Sequence, residues 1–296
     1  SFILLPMDET TQQNHLKAYG ITYWALDKSY KVSWLLNYRG GSFLLPDAPE
    51  IRKECQIRGV TFEILSDAST NSILDEISAP SQNMETVVLE KAPKIAVYTP
   101  KGKQPWDDAV TMVLTYAEIP YTEIYDEEVL SDQLLLYDWL HLHHEDFTGQ
   151  YGKFFGNYRN TPWYIQQKAD SEALAKKLGY NKVSEEKLAV AKKIRDFVIG
   201  GGFMFAMCSA TDSFDIALSA EGVDICEPMF DGDDSDANYQ AQIDYSNTFA
   251  FKDYKLERQP MVYEFSDIDT TEEHGKGSFS MDKDYFTLME YSAKWD

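Results

Sequence analysis

A strand-and-helix rhythm between residues 94 and 208 constrains this chain more than any other feature. "KIAVYTP" reads as a short buried strand and "YTEIYDEEVL" as a second strand with its exit. "YDWLHLHHED" reads as a third strand ending in polar residues, and "FMFAM" as a fourth. Two segments between them carry helical spacing. In "PWDDAVTMVLTYAEI", Pro105 suits a first turn, Asp107 and Asp108 complement the helix dipole, and Val110, Val113, Leu114 and Ala117 share a face. In "SEEKLAVAKKIRDFVIGGG", Ser184 is the expected N-cap, Leu188, Ala191, Ile194 and Val198 form the apolar stripe, and three glycines stop the helix. The order strand, helix, strand, strand, helix, strand predicts a doubly wound, mostly parallel α/β sheet.

Residues 1–90 read as a smaller N-terminal α/β unit. "YGITYWAL" and "KVSWLLNY" have strand composition, "PEIRKECQIRG" is a helix ending at Gly59, and "VTFEIL" is another strand. The polar stretch "ISAPSQNMET" follows, so the domain boundary is expected near residue 90, with residues 91–296 forming the second domain. No internal repeat is evident.

The 49 acidic against 27 basic residues give a net charge of −22, which repels nucleic acid and anionic membrane surfaces. No apolar run reaches the length of about 18 residues that a membrane helix needs. The chain starts with serine, and removal of an N-terminal segment is expected from that start. Cys55, Cys208 and Cys226 are too few and too far apart for a disulfide framework or a zinc ribbon, although Cys208 with Cys226 remains open as one pair.

Cys208 falls where the strand "FMFAM" should give way to a helix, at the edge of the sheet where such folds bind ligands. A nucleophile elbow needs small residues two places before and after the reactive one, and Ala206 and Ala210 supply them. A helix starting just after the cysteine would lower its pKa and offer the Ser209 N–H as an oxyanion donor. The competing expectation is a small buried residue filling the core. Candidates for the base and its orienting carboxylate lie in "HLHHEDFTG": His143, His144 and Glu145, with His141 and Asp146 beside them. Alternation along the strand places His141 and His143 on one face and Leu140 and Leu142 on the other. His274 is a further histidine, read as an exposed loop residue. In "EPMFDGDDSDANY", Asp231, Asp233 and Asp236, with Asp234, alternate around a glycine as oxygen ligands for Ca²⁺ would, against a plain solvated acidic turn. No phosphate-binding loop is present.

The Ala-x-Cys-x-Ala turn resembles the Gly-x-Cys-x-Gly turn of the class I glutamine amidotransferase-like superfamily, with alanine in place of both glycines. Over nearly the whole chain, "NHLKAYGITYWAL", "WLLNYRGGSF", "KIAVYTPKGKQPWDDAV", "YDWLHLHHEDFTGQYGKF", "FAMCSATDSFDIALSAEGVDI" and "DYFTLMEYSAKWD" resemble a Bacteroidetes family labelled asparagine synthetase B. That resemblance implies a class I glutamine amidotransferase-like, flavodoxin-like domain rather than a synthetase. It also implies an export signal upstream, a C-terminal continuation, and residence in the periplasm or at the cell surface. Two functions follow as expectations. One is a cysteine-dependent amidase or glutaminase-like hydrolase acting on a small-molecule amide. The other is an inactive binding or assembly subunit that meets a protein partner in a cell-envelope complex.

Overall fold

The computed structural model describes residues 1–100 and 109–268. They form a mixed α/β protein with two separate sheets, one antiparallel and one parallel, in two compact units.

The first unit contains β1 (Phe2–Leu5), α1 (His15–Asp27), β2 (Val32–Leu36), β3 (Ser42–Pro46), α2 (Pro49–Arg58), β4 (Glu63–Leu65), α3 (Asp67–Ser78), β5 (Glu85–Leu89) and α4 (Ala109–Ala117). Its strands lie in the order β4-β1-β3-β2-β5, all antiparallel. Alternation along β1 sends Ile3 and Leu5 into a core shared with Ala18, Ile21 and Ala25 of α1 and Ile51 and Cys55 of α2. Leu4 goes to the opposite face, with Leu35, Leu44 and Ile77 of α3. Both faces of the sheet are therefore covered.

"YGITYWAL", expected as a strand, lies within α1. Its Tyr, Trp, Ile and Thr favour strands, but tertiary packing overrides that weak preference. Asn14 caps the helix by accepting the Lys17 N–H at 3.2 Å, and Ala18, Ile21, Thr22 and Ala25 form the buried stripe. Gly20 lies so close to α4 that a Cβ there would stand 1.8 Å from the Ala117 carbonyl oxygen. α4 itself packs on α1 rather than on the parallel sheet, and of its expected stripe only Leu114 and Ala117 are buried. Pro105, Asp107 and Asp108 lie outside the described residues. α2 matches its expected span, with Gly59 closing it at φ 65°.

The second unit contains β6 (Ile95–Tyr98), β7 (Thr122–Ile124), α5 (Asp126–Leu130), β8 (Trp139–Leu142), α6 (Phe155–Tyr158), α7 (Pro162–Lys177), α8 (Val183–Ile199), β9 (Phe203–Ala206) and α9 (Ser209–Ser219). Its four strands are parallel, in the order β7-β6-β8-β9. The core joins Tyr98, Leu140 and Leu142 of the sheet to Val190, Ala191 and Ile194 of α8 and Phe214 and Leu218 of α9. Each of the Leu, Val, Ile and Phe side chains contributes about 1.5–3 kcal/mol by leaving water. α8 begins before Ser184, because the Glu185 carboxylate reaches back to the N–H groups of Asn181 and Lys182 at 3.2 and 3.3 Å and caps the helix from its third position. Leu188 and Val198 are half-buried, while Ala191 and Ile194 are fully buried. No helix among the described residues is long and apolar enough to cross a membrane.

Candidate active site

The β8–β9 register pairs His141 with Phe205 and Leu142 with Ala206, so the two strands end side by side. The Met207 N–H donates to the Leu142 carbonyl at 3.0 Å, and the chain then turns sharply at Cys208, with φ 51° and ψ −140°. Such a backbone costs a non-glycine residue about 1–3 kcal/mol and persists only where neighbours enforce it. Hydrogen bonds from the first turn of the following helix enforce it here. Thr211 donates its N–H (3.1 Å) and its hydroxyl (2.6 Å) to the Cys208 carbonyl, and the Ala210 N–H donates to the Met207 (3.2 Å) and His143 (3.3 Å) carbonyls.

Ala210 is completely buried and Ala206 half-buried against the core, so both positions flanking the turn hold small side chains in tight surroundings. Cys208 is exposed, whereas Cys55 and Cys226 are buried and all three are free thiols. Cys208 is therefore not the core residue that the competing expectation described. The Ser209 N–H opens α9 and has no hydrogen-bond partner among the described residues.

The histidine cluster follows β8 directly. His141 is buried with its ring stacked on Phe205 (centroids 5.8 Å, 19°), and the His143 ring lies 6.2 Å from it, while Leu140 and Leu142 enter the core. His143 and His144 meet through their Nδ1 atoms at 3.3 Å. Glu145 is buried and accepts the backbone N–H of His143 at 2.9 Å, so the contact seen is to main chain. Ser213 of α9 donates its hydroxyl to the Glu145 carbonyl and accepts the Phe147 N–H, which ties this loop to the helix that follows Cys208. Asp146 is a scaffold: its carboxylate accepts from the Thr148 N–H and hydroxyl, the Gln150 N–H and the Gly152 N–H.

His144, Glu145 and Asp146 also face a small cavity of about 40 Å³, lined in addition by Pro100, Tyr125 and Lys187. Beside it lies a buried polar network that sequence reasoning missed. Lys187 donates to Asp126 (2.6 Å), Tyr98 (3.0 Å) and Tyr125 (3.1 Å), and Tyr98 donates to Asp126. Burial works against the Lys187 ammonium, yet Asp126 beside it holds its pKa well above the usual range. Burial pushes the Glu186 carboxyl up to about 8, against the pull of Lys187. The signal was present in the spacing, since Lys187 falls on the same stripe as Val183, Val190, Ala191 and Ile194.

The acidic loop is organised around a lysine. Lys182 places its ammonium 2.5 Å from Asp224, 3.0 Å from Asp231 and 2.6 Å from Asp233. Burial opposes that charge, but bonds to the three carboxylates raise its pKa, and the bond to Lys182 lowers that of Asp233. Asp236 accepts the Asp224 N–H at 2.9 Å. In this arrangement Lys182 supplies the cation that faces Asp224, Asp231 and Asp233. Asp224, Cys226 and Asp231 also lie close together, but Cys226 donates its thiol to the Thr148 carbonyl, and burial pushes its pKa well above the usual range. His274 lies outside the described residues.

No protein-family model, curated protein or solved structure matches the chain.

Proposed function

We propose that this protein is a cysteine-dependent hydrolase of carbon–nitrogen bonds, on a class I glutamine amidotransferase-like fold. The observation that carries the reading is the backbone of Cys208: an exposed thiol at positive φ, between a parallel strand and a helix N-terminus. The strand order β7-β6-β8-β9, second-first-third-fourth along this part of the chain, supports the flavodoxin-like arrangement, whose ligands sit at the carboxyl edge of the sheet.

In this reading the Cys208 sulfur attacks the carbonyl carbon of an amide, and the oxyanion forms against the Ser209 N–H. His143 or His144 takes the thiol proton and returns it to the departing amine. Water then attacks the thioester, the carboxylic acid leaves, and the thiol is restored. The resemblance to the family labelled asparagine synthetase B supports an amide substrate and an exported, cell-envelope setting. The test is intact-mass detection of an acyl adduct after mixing with an activated amide or ester, located by peptide mapping. An adduct on Cys208 that is absent in Cys208→Ala, with circular dichroism unchanged, supports the reading, and adducts only on Cys55 or Cys226 after unfolding refute it.

A second reading is favoured by a separate observation. On the β9 strand Phe203 and Phe205, and Met207 just beyond it, are 59%, 48% and 39% exposed along one face. An apolar stripe of this kind suits an assembly subunit with an inert elbow. A stable partner complex that survives Cys208→Ala but dissolves on Phe205→Glu would favour that alternative.

A further inference from the structure

A cavity of about 300 Å³ opens in the second unit, at the lower end of the range for small-molecule sites. Ala217 of α9 and Ala220 just after it line the cavity, roughly 14–18 Å from Cys208 along the helix at 1.5 Å per residue. It is therefore separate from the Cys208 turn. Its floor is apolar. Phe147 and Ala217 are buried there, while Leu188, Val223 and Ile225 are half-buried and leave apolar surface for a ligand to cover.

The wall carries negative charge that is only partly matched. Lys182 lines the cavity, but its three ammonium hydrogens are engaged by Asp224, Asp231 and Asp233 at 2.5, 3.0 and 2.6 Å, so an anion finds no free donor on it. Asp236 accepts the Asp224 N–H through Oδ2, and its Oδ1 has no partner among the described residues. The Ser184 hydroxyl, on the same cavity, likewise has none. Glu185 lays its carboxylate over the N–H groups of Asn181 and Lys182, which offsets the positive end of the α8 dipole. α9 ends at this cavity, and the carboxyl end of a helix attracts cations.

We propose that this cavity binds a small organic ammonium ion, a primary amine on an apolar body. The ammonium would sit on the Asp236 carboxylate and the Ser184 hydroxyl, and the body would lie on Phe147, Leu188, Ala217 and Val223. The volume suits about ten non-hydrogen atoms, at about 30 Å³ for each water-sized group. A charge-assisted hydrogen bond beside apolar surface supplies both orientation and affinity, and neither depends on a reactive Cys208.

The test is isothermal titration of the intact protein at low salt with four probes: 2-phenylethylamine, 2-phenylethanol, phenylacetate and methylamine. The phenyl amine is expected to bind with a Kd of about 1 mM or below, within reach of a ligand of this size. The alcohol lacks the charge and methylamine lacks the body, so each should bind at least about tenfold more weakly, and phenylacetate should not bind. Asp236→Asn keeps an acceptor for the Asp224 N–H but loses the charge, and should weaken the amine at least about fivefold. Val223→Trp should fill the cavity and abolish binding, with circular dichroism checking its fold; if that variant is unfolded, Asp236→Asn decides. Cys208→Ala should bind the amine as the wild type does. No saturable binding of the amine, equal or tighter binding of the alcohol or of phenylacetate, or a Kd unchanged by Asp236→Asn would overturn the proposal. Binding lost in Cys208→Ala would also overturn it, by placing the amine at the thiol.

Discussion

Replacing Lys187 with methionine removes one charge from the best-buried ion pair described in the second unit. Lys187 and Asp126 have side chains 6% and 1% exposed, and their contact is 2.6 Å. Methionine fills similar volume, so the loss is electrostatic rather than a cavity. It leaves the Asp126 carboxylate with the Tyr98 hydroxyl but no ammonium, next to the raised carboxyl of Glu186. Breaking a buried pair from one side costs about 3–5 kcal/mol, because the remaining charge has no compensation. At about 2–4 °C per kcal/mol for a unit of this size, the melting temperature should fall by roughly 6–20 °C. Guanidinium unfolding followed by near-ultraviolet circular dichroism measures the loss. The double variant Lys187→Met with Asp126→Leu should recover much of it, since removing both charges also removes the unpaired one. A loss below about 1 kcal/mol for the single variant, or no recovery in the double, would refute the assignment of this pair as a coupled buried unit.

Cys208→Gly should abolish acylation and, by relieving a positive φ of 51°, stabilise the fold by about 1 kcal/mol, read from the urea midpoint; a destabilised variant would show that the turn is unstrained. Glu186 carries a pKa raised to about 8 from an ordinary 4.5, so its stabilising contribution is complete below pH 4.5 and is lost as pH rises through 8. Glu186→Gln should remove that part of the stability-against-pH curve in thermal melts between pH 5 and 9. Calcium at millimolar concentration should leave the wild-type melting temperature unchanged, because Lys182 already occupies the centre of its carboxylates. Lys182→Met should lower it and make it rise on calcium addition, and calcium sensitivity in the wild type would contradict the lysine-centred arrangement.

Much of the second unit was legible along the chain, because its elements are decided locally. The apolar runs of β6 and β8 and the periodic stripe of α8 ending in glycines need only near neighbours in sequence to be read. The strand-to-helix turn at Cys208 was also legible, because small residues on both sides and a polar helix start mark it. The sequence also determined that the chain is acidic and has no apolar run of membrane-spanning length. Tertiary structure decided the rest. α1 is a helix despite strand-forming residues, packed on α4 with Gly20 against Ala117, almost a hundred residues later. The acidic loop closes on Lys182, and the segment around Glu257 and Gln259 is held by Lys153, about a hundred residues earlier. In each of these the partner is distant along the chain. Burial and charge pairing are properties of three-dimensional proximity, which periodicity in a short window does not encode.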